Sequence, residues 1–289
     1  MIAIFKREIK SYFRTVVGWL FIAAILALYG LYFYAYNLRS GYPYISYPLS
    51  AISFIMLIAV PVLTMRSFAE DRKNKTDQLM LTAPVPVAKV VLGKYLAMLA
   101  VFTVDIAVFC VTPLILRAFG TIPMGESYIA ILAFWLYGAA SIAVGMFISA
   151  LTESQVIAAV LTFVVLFISY MMQSLTGLIS SDGNWLTKIL NCLDLYAPFE
   201  KFQGGCLDIT AILYYVTVIV LFNFFTVQAI QKRRWSISKK TFSLSVFSSS
   251  FIIVVLALAV VANLAVDALP TRITSVDCSY SKLYSITKD

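Results

Sequence analysis

Acid–base and nucleophilic chemistry depends on a small set of side chains, and this chain of 289 residues contains no histidine. Imidazole catalysis, Ser-His-Asp triads and histidine metal sites are thereby excluded. The four cysteines, Cys110, Cys192, Cys206 and Cys278, form no C-x-x-C pair and no zinc-like spacing. Cys192 and Cys206 share one expected outer loop, where a disulfide and two free thiols are both open. Hydrolysis of a nucleotide needs a phosphate cradle of the form G-x-x-x-x-G-K-[ST]. The one Gly-Lys pair, Gly93-Lys94, is followed by Tyr95, and Ala88 stands where the first glycine belongs. A G-x-G-x-x-G fingerprint and a G-x-S-x-G elbow are also absent. No cofactor is expected in this chain, and ATP with its magnesium would have to be held by a partner.

One carboxyl, Asp105, interrupts an otherwise uncharged run over residues 95–116. A lone acid at such a position is costly and lines a path, holds a proton, or is satisfied by a neighbour such as Thr103 or another helix. An aspartyl protease of the membrane would need a second carboxylate to share the proton, and none is found at that depth.

The elements that position these residues follow from composition. The chain is 61% hydrophobic and 12% charged, with a mean hydropathy of +0.90, too little polar surface to cover a fold in water. Charge-free windows long enough to cross about 30 Å of hydrocarbon as helix fall at residues 16–36, 49–65, 95–116, 128–151, 155–179, 209–231 and 242–266. The expectation is an all-α integral membrane protein. The net charge of +8 is spread in short clusters between the apolar runs, the pattern of a topology signal and not of a nucleic-acid footprint. With the N-terminus in the cytoplasm, fifteen Lys and Arg lie inside and four in the outer loops, with three more in the tail. A multi-pass plasma-membrane protein in contact with lipid results.

Two segments outside the spans are unusual. Ile2, Phe5, Ile9 and Tyr12 recur at helical spacing among Lys6, Arg7, Lys10 and Arg14, so residues 2–14 read as an amphipathic helix in the inner interface. The loop over residues 180–208 carries Trp185, Leu186, Ile189, Leu190 and Leu193, too apolar for a solvated connector and too few to span; short surface or re-entrant helices are expected. The connection over residues 66–94 is the most informative. Charged Glu70, Asp71, Arg72 and Lys73 precede an apolar step at Leu79, Met80 and Leu81, then prolines at 84 and 86. That mixture suits a surface on which another protein docks.

At these residues the chain resembles the ABC-2-type permeases, and within them the gliding-motility-type branch. The matching pieces are Phe5-Lys6-Arg7-Glu8 with Ser11-Tyr12-Phe13, then Phe68-Ala69-Glu70-Asp71, then Leu81-Thr82-Ala83-Pro84-Val85 with Val91-Leu92-Gly93-Lys94-Tyr95. Further along stand Gly145 to Gln155 and Phe199-Glu200-Lys201-Phe202 up to Asp208. Asn74-Lys75-Thr76-Asp77 departs from the Ser/Gly-rich turn usual in the family.

The resemblance implies an interfacial elbow helix over residues 1–14 and a six-span permease domain over residues 15–235. It further implies a second permease subunit and cytosolic ABC ATPase subunits that push on the connection through Phe68, Glu70, Asp71, Leu79, Leu81 and Pro84. Asp105 is then a candidate for the pathway. Residues 241–289 look like a seventh span and the start of the extracytoplasmic segment of an auxiliary gliding-type subunit. The expectation is the permease of an ATP-driven exporter that does not itself hydrolyse ATP. The alternative is a membrane scaffold that anchors an extracellular complex and transports nothing.

Overall fold

The computed structural model describes residues 2–76, 85–179, 194–203 and 208–232. Helix α1 (Ile2–Arg14) leads into α2 (Val16–Phe33), which runs on through a π-helical turn (Tyr34–Arg39). Then follow α3 (Ser46–Thr64), the short α4 (Ala69–Lys73), α5 (Val87–Phe109), α6 (Thr112–Arg117) and α7 (Met124–Leu151). Helices α8 (Gln155–Ile179), α9 (Ala197–Gln203) and α10 (Ile209–Lys232) complete the described chain. No strand occurs among the described residues, and six helical segments are long and apolar enough to cross a membrane. The expected seventh span, the paired-cysteine candidates Cys192 and Cys206, and the apolar residues 185–193 lie outside the described residues.

Helix α7 is the axis of the bundle and packs against α3, α5, α8, α9 and α10. Its sequence explains this, because Gly138, Ala139, Ala140, Ser141, Ala143, Gly145, Ser149 and Ala150 are small and buried, and small residues let helices approach closely where lipid offers no hydrophobic drive. A Cβ on Gly138 would run into the Phe102 ring of α5. The core around that contact is aromatic: Phe102, Phe109, Phe134, Phe199, Phe202 and Tyr215 are all fully buried. Conversely, α8 turns Val156, Val160, Val164 and Ile168 outward. Those faces are stable only against lipid or another apolar surface.

The third span is not the single helix 95–116 that hydropathy suggests. Helix α5 begins eight residues earlier, at Val87, and stops at Phe109. Pro113 supplies the reason, since its ring would collide with the carbonyl four residues back, which belongs to Phe109, and it has no N–H to donate there. The Thr112 hydroxyl donates to that carbonyl instead, at 2.7 Å, and meets the Tyr29 hydroxyl at 2.8 Å. After the break, α6 continues the path. Ahead of α9, Asp194 accepts from the N–H groups of Tyr196 and Ala197 at 2.8 and 3.0 Å, starting that helix. Burial pushes the Asp194 carboxyl up, and those two bonds pull it back.

Candidate coupling site

The connection between α3 and α5 is not a free loop at its start. Ser149, fully buried near the end of α7, accepts from the backbone N–H of Phe68 and of Ala69, each at 3.2 Å, and donates to the Met65 carbonyl at 3.3 Å. One hydroxyl thus ties the exit of α3 and the entry of α4 to the central helix. The first N–H groups of a helix lack intrahelical partners, and here a side chain eighty residues away supplies one.

Charge pairs fix the rest of α4. Arg66 donates to both oxygens of Glu70, at 2.7 and 3.1 Å. Arg72 donates to the Leu151 carbonyl at 2.8 Å and to Glu153 at 2.9 Å. It thereby seals the last turn of α7, where a cation is favoured. Thr76 donates to the Asp71 carbonyl and carboxylate. Residues Lys73 to Thr76 are the part that is exposed, and Lys75 takes the left-handed conformation, φ 56°, that closes the turn.

Lys94 is the centre of the cluster. One of the six cations in the connection over residues 66–94, it sits on α5 and is only 3% exposed. Its ammonium donates to the Ser67 carbonyl at 2.7 Å, lies 2.7 Å from Asp71 and 3.5 Å from Glu8 of α1, and stands 5.1 Å from the centre of the Phe68 ring. The Asp71 contact falls outside hydrogen-bonding angles, so it holds as an ion pair, whose attraction depends on distance and not direction. A buried ammonium is tolerated only when surrounded in this way. Tyr12 of α1 adds a bond of 3.4 Å to the Leu63 carbonyl, and burial, followed by the charge of Glu8, pushes its phenol up. A cleft of about 590 Å³ opens beside the cluster, with Arg7, Ser11, Asn74 and Val90 on its walls.

Phe68, Glu70 and Asp71 are therefore brought together, but as inward anchors: Phe68 is buried under Lys94, and both acids are paired. Leu79, Leu81 and Pro84 lie outside the described residues. Sequence reasoning gave no role to Glu8, Lys94, Ser149 or Glu153. All four stand inside the pieces that carry the family resemblance, so their placement in separate motifs was the signal that could have joined them.

Asp105 lies eleven residues beyond Lys94 on α5, about 16 Å along the axis, and does not belong to this cluster. It is fully buried, and neither carboxyl oxygen has a hydrogen-bond partner among the described residues. The expected pairing with Thr103 does not form, because that hydroxyl donates to the Leu99 carbonyl and accepts from the Trp135 indole.

Six candidate spans, one of them the small-residue axis α7, with a polar clamp at one end, make an all-helical membrane domain. Residues 6–204 match the family model described as ABC-2 family transporter protein, and the chain belongs to that family. No curated protein and no solved structure matches the chain.

Proposed function

We propose that the chain is the permease subunit of an ATP-driven exporter of the gliding-motility-type branch, paired with a second permease subunit and energised by separate ATPase subunits. The observation that carries this reading is the clamp on α4. A push on the exposed residues 73–76 reaches α7 through Ser149 and Arg72, α5 through Lys94, and α1 through Glu8. A partner can move membrane helices only through an element that does not yield. A scaffold without transport has no need of such a linkage. We place residues 73–76 and the apolar step at Leu79 and Leu81 on the cytosolic side, facing the ATPase, and residues 241–289 leading to an extracytoplasmic segment.

The test uses the full chain in vesicles with the ATP-binding subunit that co-purifies from native membranes. Arg72→Ala should leave that subunit bound while abolishing the several-fold change in ATP hydrolysis that the wild-type permease imposes on it. Asp105→Asn, if the acid serves the pathway, should lower the same coupled hydrolysis without lowering the yield of folded chain. Failure to recover any ATP-binding subunit, or unchanged coupling in Arg72→Ala, would sink the reading. Unchanged hydrolysis in Asp105→Asn alone would reduce that residue to packing.

A further inference from the structure

Helix α1 was expected to be an amphipathic helix in the inner interface. Part of its apolar stripe meets the bundle: Tyr12 is buried and Phe5, on the same face, is half-buried, where α1 packs against α5 and α2. With a step of about 100° per residue, the remaining surface divides into three arcs. Next to the bundle comes a narrow apolar edge of Ile9, Ile2 and Phe13, with Ile2 70% exposed. Beside that edge runs a ridge of Lys6, Lys10 and Arg14, one per turn, all exposed. The third arc, Arg7, Ser11, Ile4 and Glu8, lines the cleft at the coupling cluster.

The ridge differs from four other basic residues of this end, while Lys73, Lys75 and Lys89 are likewise exposed and outside every ion pair among the described residues. Arg7 is paired with Glu8, Arg66 with Glu70, Arg72 with Glu153 and Lys94 with Asp71. Lys6, Lys10 and Arg14 have no carboxylate partner among the described residues. Their apolar flank continues directly into lipid-facing α2, where Val16, Trp19 and Leu20 are exposed. Trp19 is held there by an indole N–H bond of 2.8 Å to the Phe13 carbonyl and by an edge contact with the Phe13 ring. A fixed, exposed indole between an apolar face and a row of cations is the arrangement of the headgroup boundary, with aromatic rings at that level and long basic side chains reaching phosphate.

We propose that Lys6, Lys10 and Arg14 form a docking ridge for anionic phospholipid headgroups, with acyl chains against Ile2, Phe13, Val16 and Trp19. The inference rests on the chain lying in a membrane and not on any ATPase. Three unpaired cations along one helix edge draw phosphates of the adjoining leaflet, and α1 is thereby pressed from one side by lipid charge and from the other by the bundle. The lipid side would then set how firmly Glu8 is presented to Lys94.

The experiment places the full chain, with Trp19 as its sole tryptophan (Trp135→Phe, Trp185→Phe, Trp235→Phe), in vesicles of phosphatidylcholine with a minor fraction of phosphatidylglycerol. Quenching of Trp19 by brominated phosphatidylglycerol is compared with quenching by brominated phosphatidylcholine at equal content. Preferential quenching by the anionic lipid is expected, falling roughly fivefold for each cation removed among Lys6→Gln, Lys10→Gln and Arg14→Gln. The preference should shrink in high salt, survive in Lys6→Arg and Lys10→Arg, and be unaffected by Arg7→Gln. Thermal unfolding of the triple variant in detergent should match that of its parent. Equal quenching by both lipids, or an anionic preference that persists in the triple variant, would overturn the proposal. So would loss of a co-purifying protein, with lipid preference intact, in that variant, since the ridge would then belong to a protein partner.

Discussion

Lys94 shows how one residue can be read correctly for type and wrongly for place. On sequence it is one of six cations in an inner connection; in the fold it is a buried ammonium between two carboxylates from different elements. Lys94→Met fills the same volume but leaves Asp71 without a cation and Glu8 with only the exposed Arg7. A loss of about 2–3 kcal/mol is expected, below the cost of breaking a fully buried pair because both acids keep some contact with solvent. Asp71→Asn should cost about 1 kcal/mol, since Glu8 remains to balance the ammonium. Thermal unfolding of the purified protein would rank the two. A smaller loss for Lys94→Met than for Asp71→Asn contradicts the assignment of Lys94 as the shared centre. Hydropathy cannot reveal this residue, because a window average removes the one charge whose importance comes from what lies across from it.

Elements are legible where periodicity and length speak and illegible where two chain segments meet. The spans of α7, α8 and α10 agree closely with the charge-free windows over residues 128–151, 155–179 and 209–231. The break at residues 110 and 111 follows from Pro113, a local rule that a hydropathy window passes over. The joint of α1 and α2 depends on a close approach that only coordinates disclose, for a Cβ on Gly18 would meet the Tyr12 carbonyl group, which is backbone and cannot swing away. Gly30, in the same helix, has open space around it. Gly30→Ala should therefore raise stability slightly, by about 0.5–1 kcal/mol, through helix propensity. Gly18→Ala should lower it by at least about 1–3 kcal/mol, as overpacking does, and loosen α1. Protease cleavage between α1 and α2 provides the check: faster cutting in Gly18→Ala alone is expected, and equal cutting in both variants removes the glycine from the joint.

For the whole molecule, composition alone was enough to place the chain in lipid, and the six described candidate spans agree. Which side faces the cytosol rests on the distribution of basic residues, and the surface exposure of Lys75 and Lys201 offers a direct test. In a cysteine-free background, Lys201→Cys should react with an impermeant thiol reagent in intact cells, and Lys75→Cys only after the cells are opened. Reaction at position 75 in intact cells reverses the orientation. The cluster around Lys94 was legible only as scattered short motifs, because the four residues that complete it come from α1, α5 and the end of α7, and nothing in one sequence states which motifs touch.

The shared ammonium also constrains how this protein can drift over generations. Either acid, at position 8 or 71, can be lost while the other still balances Lys94, so each site is individually permissive. The lysine has less freedom, because its loss leaves Asp71 with no cation and Glu8 with only the exposed Arg7. Substitution at 94 should therefore arise in descendants of this sequence only after the acid at 71 has gone, and the order of replacement would be written into any lineage that abandoned the cluster.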